Sequence, residues 1–119
     1  MRAFVSLCAL ALCIAPAHAG PAEERADCEG RAQGLTSSQR EMACNAVLAE
    51  KNLPSADAAM ALVHRAWARV LAGRKADALA DYNRALALAP NSHVVLNERA
   101  LLHLRENRLD AALRDYDAA

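Results

Sequence analysis

The side chains in this sequence that could do chemistry are Cys28 and Cys44, the histidines His64, His93 and His103, the carboxylates Asp77 and Asp81, and a single tryptophan, Trp67. Two cysteines at this spacing, with no Cys-x-x-Cys and no histidine at a fixed offset, match neither a zinc nor a haem motif. In an oxidising compartment such a pair reads as one disulfide; two buried free thiols are the alternative. The histidines lack metal spacing, so they read as surface or packing residues. Asp77 and Asp81 stand one helical turn apart with Arg74 and Arg84 nearby. That arrangement suits a solvated ion-pair face better than an acid/base pair. Asp115 and Asp117 point to different sides of a helix. A glycine-rich phosphate loop, His-Glu-x-x-His and Gly-x-Ser-x-Gly are all absent from the sequence. No catalytic constellation emerges, and no cofactor is expected.

The compartment is read from the first residues. Arg2 precedes an uncharged apolar run from Phe4 to Ala15, then Pro16 and the small-x-small triplet Ala17-His18-Ala19. This is the order of a secretory signal peptide, expected over residues 1–19. The run is shorter than the roughly 20 residues a membrane span needs. Leu7 and Leu12 stand before Cys8 and Cys13, where a lipoprotein site has a small residue. The expected product is periplasmic or secreted, with no membrane insertion, and keeps Cys28 and Cys44. Fourteen basic and fourteen acidic residues give a formal net charge of zero. A nucleic-acid binder carries a basic footprint, and none is present here.

The elements that position these residues are helices. The composition is 55% hydrophobic but only 3% aromatic, and much of it is alanine. Alanine favours helix and fills little volume, and strands need the β-branched and aromatic runs missing here. A shift of 34 residues superposes the chain on itself. Arg31-Ala32 falls on Arg65-Ala66 and Arg99-Ala100. Cys28 falls on Leu62 and Leu96, and Cys44 on Ala78 and Ala112. Leu48 falls on Tyr82 and Tyr116, Arg74 on Arg108, Asp81 on Asp115, and Ala85 on Ala119. Each unit reads as two helices. A weak helix over 22–32 is interrupted by Gly30. A capping box at Ser38-Gln39-Arg40-Glu41 opens the next, which runs to about Lys51. Ser55 or Asp57 caps a helix over 56–72 that Gly73 stops. A helix over 75–89 is closed by Pro90. Asn91 or Ser92 caps the next, to about Glu106, and the last starts near Arg108. Small residues at Ala66, Ala78, Ala100 and Ala112 let paired helices approach, and Tyr82 and Tyr116 fill the space between pairs.

At these residues the chain resembles the tetratricopeptide repeat family, whose 34-residue unit reads W-x2-L-G-x2-Y, then A-x3-F, then P. In the middle unit the small positions match Ala66, Ala78 and Ala85, the aromatic matches Tyr82 and the proline matches Pro90. The last unit matches at Ala100, Ala112, Tyr116 and Ala119. The pattern's Trp, Leu and Tyr fall instead on Leu62, Arg65 and Arg69. Residues 20–58 are expected to form a degenerate cysteine-containing cap, like the lead-in of some exported bacterial members. Residues 59–119 are expected to form two repeats, the last truncated. The fold class is all-α, with antiparallel helix pairs stacked as a short right-handed solenoid.

The resemblance implies a non-catalytic scaffold that binds a protein or peptide segment in a concave, mostly apolar groove lined by the first helix of each pair. The matching positions are Met60, Val63, Trp67, Val70 and Leu71, then Val94, Asn97, Leu101, Leu104 and Arg105. Trp67 fits groove or core equally, and Arg105 fits a partner carboxylate or a solvated helix end. Two rival readings stand beside the scaffold. One is a thiol-redox or metal-handling protein using Cys28 and Cys44. The other is self-assembly through a C-terminal end whose Leu109 and Leu113 have no helix to cover them.

Overall fold

The computed structural model describes residues 20–119. The expected leader, with Cys8 and Cys13, lies outside the described residues. Six α-helices follow one another: α1 (Pro21–Cys28), α2 (Ser37–Leu48), α3 (Ser55–Leu71), α4 (Lys75–Leu88), α5 (His93–Arg105) and α6 (Leu109–Ala118). No strand occurs among the described residues. Each helix packs on its sequence neighbour, most extensively α3 on α4 and α5 on α6. The arrangement is a helical-repeat solenoid. No helix of the described residues is long and apolar enough to cross a membrane.

The turn inside each unit repeats as faithfully as the sequence does. Gly73 ends α3 at φ +77°, and Asn107, 34 residues on, ends α5 at φ +57°. Arg74 N–H donates to the Arg69 carbonyl and Arg108 N–H to the His103 carbonyl, each at 2.8 Å. These are the six-to-one bonds of a Schellman cap, which needs a left-handed residue; glycine takes that conformation freely and asparagine tolerates it. The start of α2 differs from expectation. Thr36, not Ser38, is its N-cap: its hydroxyl accepts from Gln39 N–H, and the Gln39 side chain accepts from Thr36 N–H at 2.9 Å. Two overlapping boxes compete here, and Glu41 is drawn away by Arg69 and Arg74. At α5 Ser92 is the cap, as one of the two candidates. At α3 the residue before the helix is Pro54, and no side chain caps it.

One core runs through the middle unit: Leu62, Val63 and Ala66 of α3, Ala78, Tyr82 and Ala85 of α4, and Val95 and Leu102 of α5. Ala66, Ala78 and Ala100 are completely buried and Ala112 is 1% exposed. A side chain larger than methyl at these places would force the paired helices apart. Pro90 follows α4 and is exposed. The two tyrosines part company. Tyr82 is 2% exposed beneath α5, whereas Tyr116, its equivalent on α6, is 38% exposed. Among the described residues no helix lies over α6, so Tyr116 fills no gap between pairs. Leu109 and Leu113 are left bare for the same reason.

Asp81 corrects the expected solvated face. It is 1% exposed. Its carboxylate takes Arg65 Nε at 3.0 Å and Nη2 at 2.7 Å, and Arg69 Nη1 at 2.9 Å. Only Asp77 behaves as expected, exposed and paired with Arg74 at 3.0 Å. Arg99 grips Asp115 in the same two-pronged way, both bonds at 2.7 Å. Two parallel charge-assisted bonds fix both distance and rotation between helices. The arginines that replace apolar residues of the family pattern therefore have a buried partner, and it recurs with the repeat.

Candidate functional site

Helices α3 and α5 are the first members of their pairs, and the side chains between them form a cleft. On α5, Glu98, Leu101 and Arg105 are spaced i, i+3, i+7 and so share one face. Trp67 projects from α3 into this set. Its indole Nε1 donates to Glu98 Oε2 at 2.8 Å. The Arg105 guanidinium lies over its ring, 5.3 Å from the centroid. Such a cation–π contact contributes about 0.5–1 kcal/mol at an exposed site. Val70, Leu102 and Tyr82 complete the lining of this shallow, open cleft. Trp67 is therefore neither wholly core nor free: it is half-buried, with its polar edge on Glu98.

The expected groove positions divide. Trp67, Leu101 and Arg105 meet at the cleft, and Val70 lines its inner wall. Val63 does not line a groove. It is 3% exposed and belongs to the core that α5 closes. The 34-residue shift places Asn97 on Val63 and Leu104 on Val70. Asn97 and Leu104 thus occupy the side of α5 that, one unit earlier, faces the neighbouring pair, and both are exposed. Glu98 was missed from the sequence, although its spacing to Leu101 and Arg105 already put it on their face.

A second cleft lies between α1 and α3, lined by Arg25, Glu29, Met60 and His64 among others. Cys28 also borders it and is bonded to Cys44. The two cysteines are 2% and 0% exposed and pack with Val47 and Ala61. A reactive thiol needs to be accessible and electropositive in surroundings, and this pair is neither reduced nor accessible. Among the described residues there is no group of three metal-ligating side chains.

Two histidines are shifted by their surroundings. Burial pushes His64 below its ordinary value of 6.5; Arg40 adds to this, and Glu29 and Glu98 oppose it. Burial does the same to His103, with Arg99, Arg108 and Arg114 adding to it and Asp115, 3.7 Å away, opposing. Both therefore hold a proton less readily folded than unfolded. Their contribution to stability is full above about pH 6.5 and is lost as pH falls below it, because the unfolded chain takes up protons first. The urea midpoint is expected to drop between pH 7.5 and 5, and to drop less in a His64→Asn, His103→Asn variant. A midpoint that rises on acidification would contradict this assignment.

Comparison with known proteins bears on the same residues. Residues 59–92 match the tetratricopeptide repeat family. No curated protein and no solved structure matches the chain. Tetratricopeptide repeats generally mediate protein–protein interaction and are generally not catalysts. The matched repeat takes in α3 from Ala59 onward, all of α4 and the turn to Ser92, and so includes Trp67, Tyr82 and the Arg65–Asp81 clasp.

Proposed function

We propose that this chain is an exported, non-catalytic scaffold that binds a protein or peptide segment on the face shared by α3 and α5. The observation that carries the proposal is the Trp67 cleft: the only tryptophan of the chain stands half-exposed among Leu101, Glu98 and Arg105 on a tetratricopeptide repeat. Aromatic and arginine residues in such surroundings are the usual anchors of protein interfaces. The signal-like order of residues 1–19 in the sequence and the disulfide-bonded cysteine pair support a periplasmic or secreted location.

The test is a crosslinking pull-down from the native envelope or secreted fraction, with the parent chain beside Trp67→Ala and Leu101→Ala. Circular dichroism verifies that the variants are folded. A protein held by the parent and lost by both variants is the expected outcome. Capture that survives both changes would remove the groove from the function. A second reading, self-association through α6, draws on the exposed Leu109, Leu113 and Tyr116. It requires a molecular size that grows with concentration and is lost in Leu113→Glu.

A further inference from the structure

We propose that the recess where the start of α4 meets the end of α5 binds a carboxylate, held by Arg108 and Lys75 beside His103. The site is separate from the Trp67 cleft and does not depend on the groove reading. The recess measures about 200 Å³. Lys75, Ala76 and Leu79 of α4 line one side; Leu102 and His103 of α5, with Glu106 and Arg108 just beyond, line the other. Sites that enclose a drug-sized ligand hold roughly 300–1,000 Å³, so this one suits a small acid or a single acidic side chain. Ala76, Leu79 and Leu102 accommodate a short hydrocarbon stem.

Comparison of the two joints selects the occupant. The 34-residue shift places His103 on Arg69 and Arg108 on Arg74. At the earlier joint Arg69 and Arg74 both hold the Glu41 carboxylate of the neighbouring helix, at 2.9 and 2.7 Å. At the later joint α4 brings Lys75, Ala76 and Leu79 to the recess that His103 and Arg108 line, and none of these is an acid. The recess is thus open where, one unit earlier, a carboxylate stands. Its rim carries two cations, Lys75 and Arg108, against one acid, Glu106, which Lys75 already bonds at 2.8 Å. His103 is 12% exposed, and its Nδ1 is buried with no hydrogen-bond partner among the described residues. Such an atom is ordinarily paired, and in the Nδ1–H tautomer it would donate to an acid seated in the recess. Burial holds the imidazole below its ordinary 6.5, with Arg99, Arg108 and Arg114 adding to this and Asp115 opposing. A bound anion acts in the opposite sense.

The experiment follows the imidazole titrations of the full chain by NMR, with the His103 signal assigned through His103→Gln. The probes are sodium butyrate, sodium chloride at equal ionic strength, and butanol. Butyrate is expected to raise the His103 midpoint by about 1 pH unit, as a close opposite charge does, and to leave that of His93 in place. Chloride and butanol should move it far less. Arg108→Gln is expected to lose the butyrate response. Ala76→Glu, which tethers an acid to the α4 wall, should raise the midpoint without ligand and abolish the response. Both positions are exposed, and circular dichroism verifies the fold of each variant. A blocked pentapeptide with one Glu, beside its Gln twin, distinguishes the sources. A response to the Glu peptide assigns the carboxylate to a partner chain, and a response to butyrate alone assigns it to a small acid. A midpoint indifferent to both, a chloride response of equal size, or a butyrate response that survives both substitutions would overturn the proposal.

Discussion

Replacing Asp81 with alanine is expected to lower the unfolding free energy by about 3 kcal/mol. Breaking a buried ion pair from one side costs roughly 3–5 kcal/mol, because the remaining charge stays desolvated. The lower end applies here: Arg65 keeps Asn45 at 3.0 Å and Arg69 keeps Glu41 at 2.9 Å. Against a typical stability of about 5–15 kcal/mol, the loss is large. Asp115→Ala should cost less, since Arg99 is 23% exposed where Arg65 is 12%. Urea unfolding of the two variants checks the order as well as the size. A triple change, Arg65→Leu, Arg69→Tyr and Asp81→Ala, returns the first two positions to the family's apolar types. It should recover most of the loss, because a buried ion group replaced whole by packed side chains is often neutral or better. A triple variant no more stable than Asp81→Ala would mean that the clasp fixes helix geometry that apolar packing cannot.

Reducing the Cys28–Cys44 bond is the second large effect. A loop of about 15 residues closed by a disulfide stabilises by roughly 3 kcal/mol in the chain-entropy account. The helix it holds has little else. It spans only eight residues, and Cys28 is its one buried residue. A helix shorter than about 12 residues does not persist alone in water. Arg25 reaches Glu50 at 2.6 Å, but with its side chain 41% exposed it adds little. A Cys28→Ser, Cys44→Ser variant is therefore expected to lose amide-exchange protection over 21–28 first, and about 3 kcal/mol of total stability. Protection of α1 that outlasts the change would show that packing, not the crosslink, holds it.

What the sequence revealed depended on the range of the interactions involved. The period, the helix ends at Gly73 and Pro90, and the small residues at Ala66, Ala78, Ala100 and Ala112 are local or repeated features, and periodicity exposes those. Asp81 reads as a surface residue because its neighbours along the helix, Asp77 and Arg84, are charged. Its partners lie 16 and 12 residues back, across the hairpin. The clue was present, since Arg65 and Asp81 recur together as Arg99 and Asp115. Val63 matches a groove position of the family pattern, but α5 covers that side of α3 and buries it. Tyr116 departs for the converse reason: its residue type repeats, but among the described residues the helix that buries Tyr82 has no counterpart over α6.

The Arg–Asp clasps also set the order in which the array can come apart. Arg65–Asp81 and Arg99–Asp115 each lie inside one helix pair, so each pair carries its own lock. The joints between pairs are unequal. Arg69 and Arg74 of the middle pair both reach back to Glu41 on α2. The next joint has Arg99 on Asn83 and the half-exposed Lys75 on Glu106. A stack of repeats behaves as units coupled to nearest neighbours. Packing between α4 and α5 is the less extensive, although the Trp67–Glu98 hydrogen bond and the core residues Val95 and Leu102 also cross that joint; amide exchange is expected to show the pair α5–α6 opening as one body before the rest melts. Trp67 and its two α5 partners straddle that joint. The proposed binding cleft is therefore also the hinge line, and a segment lodged in it would clamp the two halves of the molecule together.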